Sequence, residues 1–184
     1  KKFVEKVRQR GVKVVPMLGA NNANMEIMEQ MGLEDAIIRG DWGNEVRCDW
    51  VDWDYDLAEE KNAMLANLGH PGFQKHMIER SSYLVERFGV DGLFLDITFW
   101  WENDPRYSPF EGTAAWAKEM KRRYPDLLLF GENSYDVLWG IFSLFAESYS
   151  PPGYEGALYR YVRQGYYLAR PEAGSGSAGI HEQA

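Results

Sequence analysis

The sequence holds one cysteine, Cys48, and three histidines. A single thiol excludes an intramolecular disulfide framework and a cysteine-built zinc site. His70 and His76 have no HExxH around them, so a zinc hydrolase lacks its ligands; one reads as a helix-start residue and the other as solvent-facing. There is no run of about 18 apolar residues, the length a membrane-spanning helix needs. Basic residues are outnumbered, 20 against 28 acidic, for a formal charge of −8. With no basic stripe, nucleic acid and anionic membrane are excluded as main partners, because both require clustered Lys and Arg. No GxGxxG turn follows an early strand, and P-loop and G-x-S-x-G patterns are absent, so the sequence implies no nucleotide cofactor and no nucleophile elbow. Asp52, Asp54 and Asp56 have the spacing that opens a calcium loop, but Leu57 stands where Gly is required and Ala63 where the bidentate Glu belongs. That excludes an EF-hand and leaves open a looser calcium site at Asp49, Asp52 or Asp54.

What is present is a globular chain of 184 residues, 45% apolar and 15% aromatic, with hydrophobic residues spread along its length. The opening KKFVEKVRQRG reads as the end of a helix stopping at Gly11. Val12 to Leu18 then has the profile of a buried parallel strand. Residues 23–31 suit a short helix whose Met25, Ile27, Met28 and Met31 fill core. The acidic and aromatic stretch from Asp41 to Asp56 is an extended edge segment or a long loop, with a doubtful strand in 42–55. Pro71 opens an amphipathic helix that ends at Gly89, and Val90 to Ile97 forms the next strand. Ser108-Pro109-Phe110-Glu111 is a capping box for a helix running to about Arg123, followed by a strand over Leu127 to Glu132. Ser134 and Asp136 start a third helix, apolar over Val137 to Phe145.

Alternating helices and strands with short connections predict a parallel α/β sheet. The loops after the strands carry acidic, amide and aromatic side chains rather than a phosphate turn, as in a (β/α)8 barrel with its site at the C-terminal face. A full barrel takes about 250 residues, and only three to four strands can be placed. The expectation is therefore a partial (β/α)8 barrel: residues 1–184 as one incomplete catalytic domain, with 172–184 a Gly/Ser-rich loop at its cut end. Both ends read as interrupted, which leaves the compartment unassigned and predicts that this piece alone is incomplete as a folding unit and inactive.

On the strand 90–98, Gly92, Phe94, Asp96 and Thr98 share one face, and Asp91, Leu93, Leu95 and Ile97 the other. Asp96 is thus a carboxylate at the C-terminal end of a buried strand. Glu132 has the same place on the next strand, above Leu128 and Phe130. An unpaired buried charge is costly, so two acids recurring at this position call for a function. On neighbouring strands, about 4.8 Å apart, their carboxyl groups come to about 5 Å, the separation retaining glycosidases use. Two carboxyls that close do not easily both ionise, so one holds a proton and acts as acid while the other stays a nucleophile. Asp96 is read as nucleophile and Glu132 as acid/base.

GVDGLFLD (Gly89 to Asp96) resembles the nucleophile strand of the α-amylase, α-glucosidase and α-galactosidase barrels, with its G-x-D-G-x-x-x-D pattern. LLLFGEN (Leu127 to Asn133) is similar to the α-amylase strand that ends in Gly-Glu and supplies the acid/base. GVKVVPMLGANN (Gly11 to Asn22) is similar to that family's strand ending in Asn-His. Phe94 stands where the amylases have Arg, Asn22 where they have His, and Met17 where they have Asp, so the resemblance is to a divergent branch of retaining barrels. It implies a glycosidase acting on a carbohydrate substrate; no cofactor is expected and no metal ligand is assigned. The substrate-binding residues it implies are Asn21, Asn22, Trp100, Trp101 and Asn133. Trp42, Trp50 and Trp53 could extend a sugar platform. Two other readings stay open: a magnesium-dependent lyase or isomerase barrel using strand-end acids as ligands, and a non-catalytic glycan-binding barrel.

Overall fold

The computed structural model describes residues 1–48, 62–98, 103–132, 138, 140–142, 144–147 and 168–171, with only the backbone described over 145–147 and 168–171. At its centre lies a parallel sheet built from β1 (Met17–Gly19), β4 (Gly92–Asp96), β5 (Leu128–Glu132), β6 (Leu144–Glu147) and β7 (Leu168–Pro171), in that spatial order. A smaller antiparallel pair joins β2 (Asn22–Asn24) to β3 (Ala63–Leu65).

Helix α1 (Lys2–Arg8) leads into Gly11 as the sequence predicts. The strand expected over Val12 to Leu18 is regular only from Met17. Before it, Val14 and Pro16 accept hydrogen bonds from the β4 side, Asp91 N at 2.8 Å and Phe94 N at 2.9 Å. Pro16 has no N–H to contribute to the ladder, so a full strand starts after it. The helix expected over 23–31 is trimmed to α2 (Met25–Gln30), because Asn22–Asn24 pairs with β3 and the Asn24 side chain caps the helix by accepting from Ile27 N at 3.2 Å. A single 3-10 turn follows at Glu34–Ala36. The described part of the stretch from Asp41 onward is a bridged loop beside β3: Ile38 N donates to Leu65 O, Val46 N to Ile38 O, and Cys48 N to Ala63 O.

Both predicted long helices form. α3 (Pro71–Phe88) is capped by His70, whose Nδ1 accepts from Phe73 N at 3.2 Å. α4 (Pro109–Arg123) is capped by Ser108, whose Oγ accepts from Glu111 N at 3.2 Å. The two pack together on one side of the sheet, where Trp116 Nε1 donates to Ser81 Oγ at 3.2 Å with both residues fully buried. Leu93, Leu95 and Leu129 point from the strands into this helix layer and join Trp116, Met120, Phe73 and Met77 in the main core.

The end of the third helix is a correction, while its expected start at Ser134 and Asp136 lies outside the described residues. Leu144 and Phe145 belong to β6, which runs parallel to β5 with Leu144 opposite Phe130. A short run that is apolar on all sides suits a buried strand as well as a buried helix, and Gly140, in the left-handed region at φ 85°, interrupts a helix there. The predicted strand count of three to four was also low. Among the described residues five strands form the main sheet, since β6 and β7 are too short to stand out by pattern.

Candidate active site at the C-terminal strand ends

The register across β4 and β5 decides where the two acids stand. Phe94 lies opposite Phe130 and Leu95 opposite Gly131, so Asp96 and Glu132 are the next residues on adjacent parallel strands. The Phe94 and Phe130 rings meet at 5.1 Å between centroids on the face away from the helices. Alternation along a strand returns the same face two residues later, which puts Asp96 above Phe94 and Glu132 above Phe130. Both acids are half-buried. Among the described residues no group of three or more His, Cys, Asp and Glu converges as a metal site would.

The residue after Asp96 is unusual. Ile97 has φ 54°, the left-handed region that a β-branched side chain rarely enters. Its side chain is buried, and both of its backbone polar groups are engaged. Ile97 N donates to Glu132 Oε2 at 2.8 Å, and Ile97 O accepts from Asn21 Nδ2 at 3.3 Å. Thr98 Oγ1 donates to the Glu132 carbonyl. The strained turn therefore ties the end of β4 to the carboxyl group and the backbone of Glu132, which fixes the rotation of that carboxyl. Nothing in the sequence signals this, because isoleucine is among the least expected residues at positive φ.

The other predicted residues are distributed as follows. Asn21 follows β1, is 8% exposed, and its Oδ1 has no partner among the described residues. Asn22 opens β2 and accepts from Cys48 Sγ at 3.4 Å. Trp100, Trp101 and Asn133 lie outside the described residues, as do Trp50, Trp53, Asp49, Asp52, Asp54 and Asp56. Asp91, the first acid of the G-x-D-G segment, stands at the opposite end of the sheet, just before β4. It accepts from Val14 N at 2.9 Å and pairs with Lys13 at 3.2 Å and Arg8 at 3.5 Å. That end of a parallel barrel serves stability.

A second cluster, unmarked in the sequence, supports the loop after β4. The Asp104 carboxylate is fully buried. It accepts from Arg106 N, Nε and Nη2, from Arg39 N and from Asn67 Nδ2, at 2.9–3.3 Å. Arg106 continues to Asp35 Oδ1 at 2.9 Å and to the Ile37 carbonyl. Burial alone would push the Asp104 carboxyl up, but these donors, Arg106 foremost, outweigh it and hold the group below the usual carboxylate range. The partners come from loops far apart in sequence, so no local motif could reveal them.

No protein-family profile matches the chain, and no curated protein matches it. Solved structures do. The glycoside hydrolase domain of PelA from Pseudomonas aeruginosa is similar over 79% of this chain and 54% of its own, with a TM-score of 0.59 and 21% identity. A noncanonic maltogenic α-amylase from Thermotoga neapolitana is similar over 79% of this chain and 30% of its own, with a TM-score of 0.57 and 17% identity. An Anoxybacillus α-amylase gives 79%, 32%, 0.56 and 15% in the same terms. The chain thus spans about a third to a half of the length of these proteins. At such identities the likeness speaks for architecture: the chain has the α/β fold of part of a (β/α)8 barrel, the fold it shares with these α-amylases and the glycoside hydrolase domain.

Proposed function

We propose that this chain carries the catalytic strands of a retaining glycoside hydrolase that cleaves a carbohydrate by double displacement. The observation that supports it most is the register that brings Asp96 and Glu132 to matching C-terminal ends of adjacent parallel strands, on one face. In (β/α)8 barrels that end of the sheet is where catalysis occurs. In this reading the Asp96 carboxylate attacks the anomeric carbon and forms a glycosyl ester, while Glu132 gives its proton to the departing glycosidic oxygen. Glu132 then takes a proton from water, which attacks the anomeric carbon and releases Asp96. The anchoring of Glu132 by Ile97 N favours the reading, because proton transfer needs a carboxyl held in one orientation. Asn21, Asn22, Asn133, Trp100 and Trp101 are assigned to the walls of the site, the tryptophans supplying flat apolar faces for sugar rings.

In the full-length protein, Asp96→Ala and Glu132→Ala are each expected to lower turnover by about three orders of magnitude or more while leaving the circular dichroism spectrum unchanged. Near-normal turnover in either variant overturns the assignment. Added azide separates the roles. It should restore turnover of Asp96→Ala with inverted product and, with a good leaving group, of Glu132→Ala with retained product.

A further inference from the structure

Trp42 is 94% exposed, whereas Trp116 in α4 is fully buried. Keeping a large aromatic side chain in water forgoes the favourable burial of its apolar surface, so its presentation invites an explanation. The turn that carries it is tightly held. Gly40 N donates to Asn44 O and Gly43 N to Gly40 O, each at 2.9 Å, and Gly43 adopts φ 77°. Arg39 closes the base of the turn, pairing with Glu45 at 3.3 Å and donating to the Gly43 carbonyl.

This turn is also fastened to the loop that leaves the catalytic end of β4. Asn103 Nδ2 donates to Asp41 Oδ1 at 3.1 Å, and Arg39 N donates to the buried Asp104 carboxylate at 3.2 Å. The chain from Thr98 to Asn103 spans about 18 Å at full extension. Asn103 thus lies within that distance of Thr98, two residues beyond Asp96, and Trp42 is held beside it on a backbone that does not have to be ordered when something binds. A rigid indole with only two side-chain torsions gives up little entropy on contact.

We propose that Trp42 is an outlying sugar-binding position, stacking its indole on a pyranose ring of an oligosaccharide that extends beyond the catalytic pair. This rests on the glycosidase reading above. The surroundings favour a sugar over a protein partner. A protein hot spot sits within an apolar patch, whereas among the described residues Trp42 is flanked by exposed Asp41, Gly43 and Asn44. One flat apolar face in a polar rim matches a pyranose ring, which has an apolar face and a polar edge.

The test uses the full-length protein, Trp42→Ala and Trp42→Tyr. The substrates are malto-, cello- and galacto-oligosaccharides from disaccharide to heptasaccharide and the matching 4-nitrophenyl monoglycosides. On the series that is cleaved, the ratio of kcat/KM for heptasaccharide to that for the aryl glycoside should fall about tenfold in Trp42→Ala, mainly through KM, and recover in Trp42→Tyr. A ratio unchanged in Trp42→Ala, with wild-type cleavage intact, overturns the subsite and spares the glycosidase. A wild-type protein that neither cleaves nor binds any series, by calorimetry, overturns both.

Discussion

Asp104 shows how one side chain carries a loop. Its carboxylate has no exposed surface and gathers donors from Arg39, Asn67 and Arg106. Removing one member of a buried ion pair leaves its partner uncompensated, typically at about 3–5 kcal/mol. Arg106 keeps 27% side-chain exposure and retains Asp35, so Asp104→Ala should cost about 3 kcal/mol, read as a lower urea midpoint. The same residue makes stability depend on pH. Its folded pKa lies below the ordinary 3.8, so its contribution is complete above the unfolded value and is lost as pH falls through the folded one. Asp91 adds in the same direction. Burial opposes its charge, while Val14 N, Lys13 and Arg8 together hold its carboxyl low. Stability of the wild type should therefore decline below about pH 4, and Asp104→Ala should flatten that decline. An unchanged profile would contradict this.

At the scale of elements, the helices were legible in the sequence and the short strands were not. α3 and α4 announce themselves through Pro71 and Pro109 at their starts, the Ser108 cap, and apolar residues at helical spacing. β4 and β5 are continuous apolar runs ending in acids, which made Asp96 and Glu132 visible. β3 and β6 offer only Ala63–Leu65 and Leu144–Glu147, too little pattern to tell strand from helix, and their identity comes from pairing with distant segments. The left-handed Ile97 and the Asp104 cluster are likewise products of tertiary contact. How closely the elements meet yields a prediction. A Cβ on Gly112, in the first turns of α4, would stand 2.2 Å from Gly69 N and 2.3 Å from the Leu68 carbonyl carbon. Those are backbone atoms that cannot step aside, so Gly112→Ala should destabilise by about 2–3 kcal/mol. A melting temperature equal to wild type would mean that this contact is looser than described.

For the whole molecule, the open sheet is the dominant feature. Among the described residues β1 is an edge strand of the main sheet. Beside it lies an apolar groove of about 540 Å³ between β1, α2 and α3, lined by Met17, Met28, Met31, Phe73 and Met77. Met17 is 65% exposed, Ile27 54% and Leu128 39%. Edges and apolar faces of this kind promote association. The 184-residue polypeptide by itself should therefore scatter light with a mass above its 21.2 kDa, and Met17→Lys with Ile27→Glu should reduce that mass. A monodisperse monomer would contradict the expectation that this stretch does not bury its own surfaces. Within a (β/α)8 barrel the exposed face carrying Phe94 and Phe130 is the interior, and the acids above it line the mouth. The catalytic reading thus depends on architecture as much as on two residues. It is tested most directly by incubating the full-length protein with a panel of 2-deoxy-2-fluoroglycosyl fluorides and sequencing the labelled peptide by tandem mass spectrometry. A glycosyl ester is expected on Asp96 and absent from Asp96→Ala; an ester on another carboxylate, or glycoside hydrolysis that never labels Asp96, would contradict the assignment of the nucleophile.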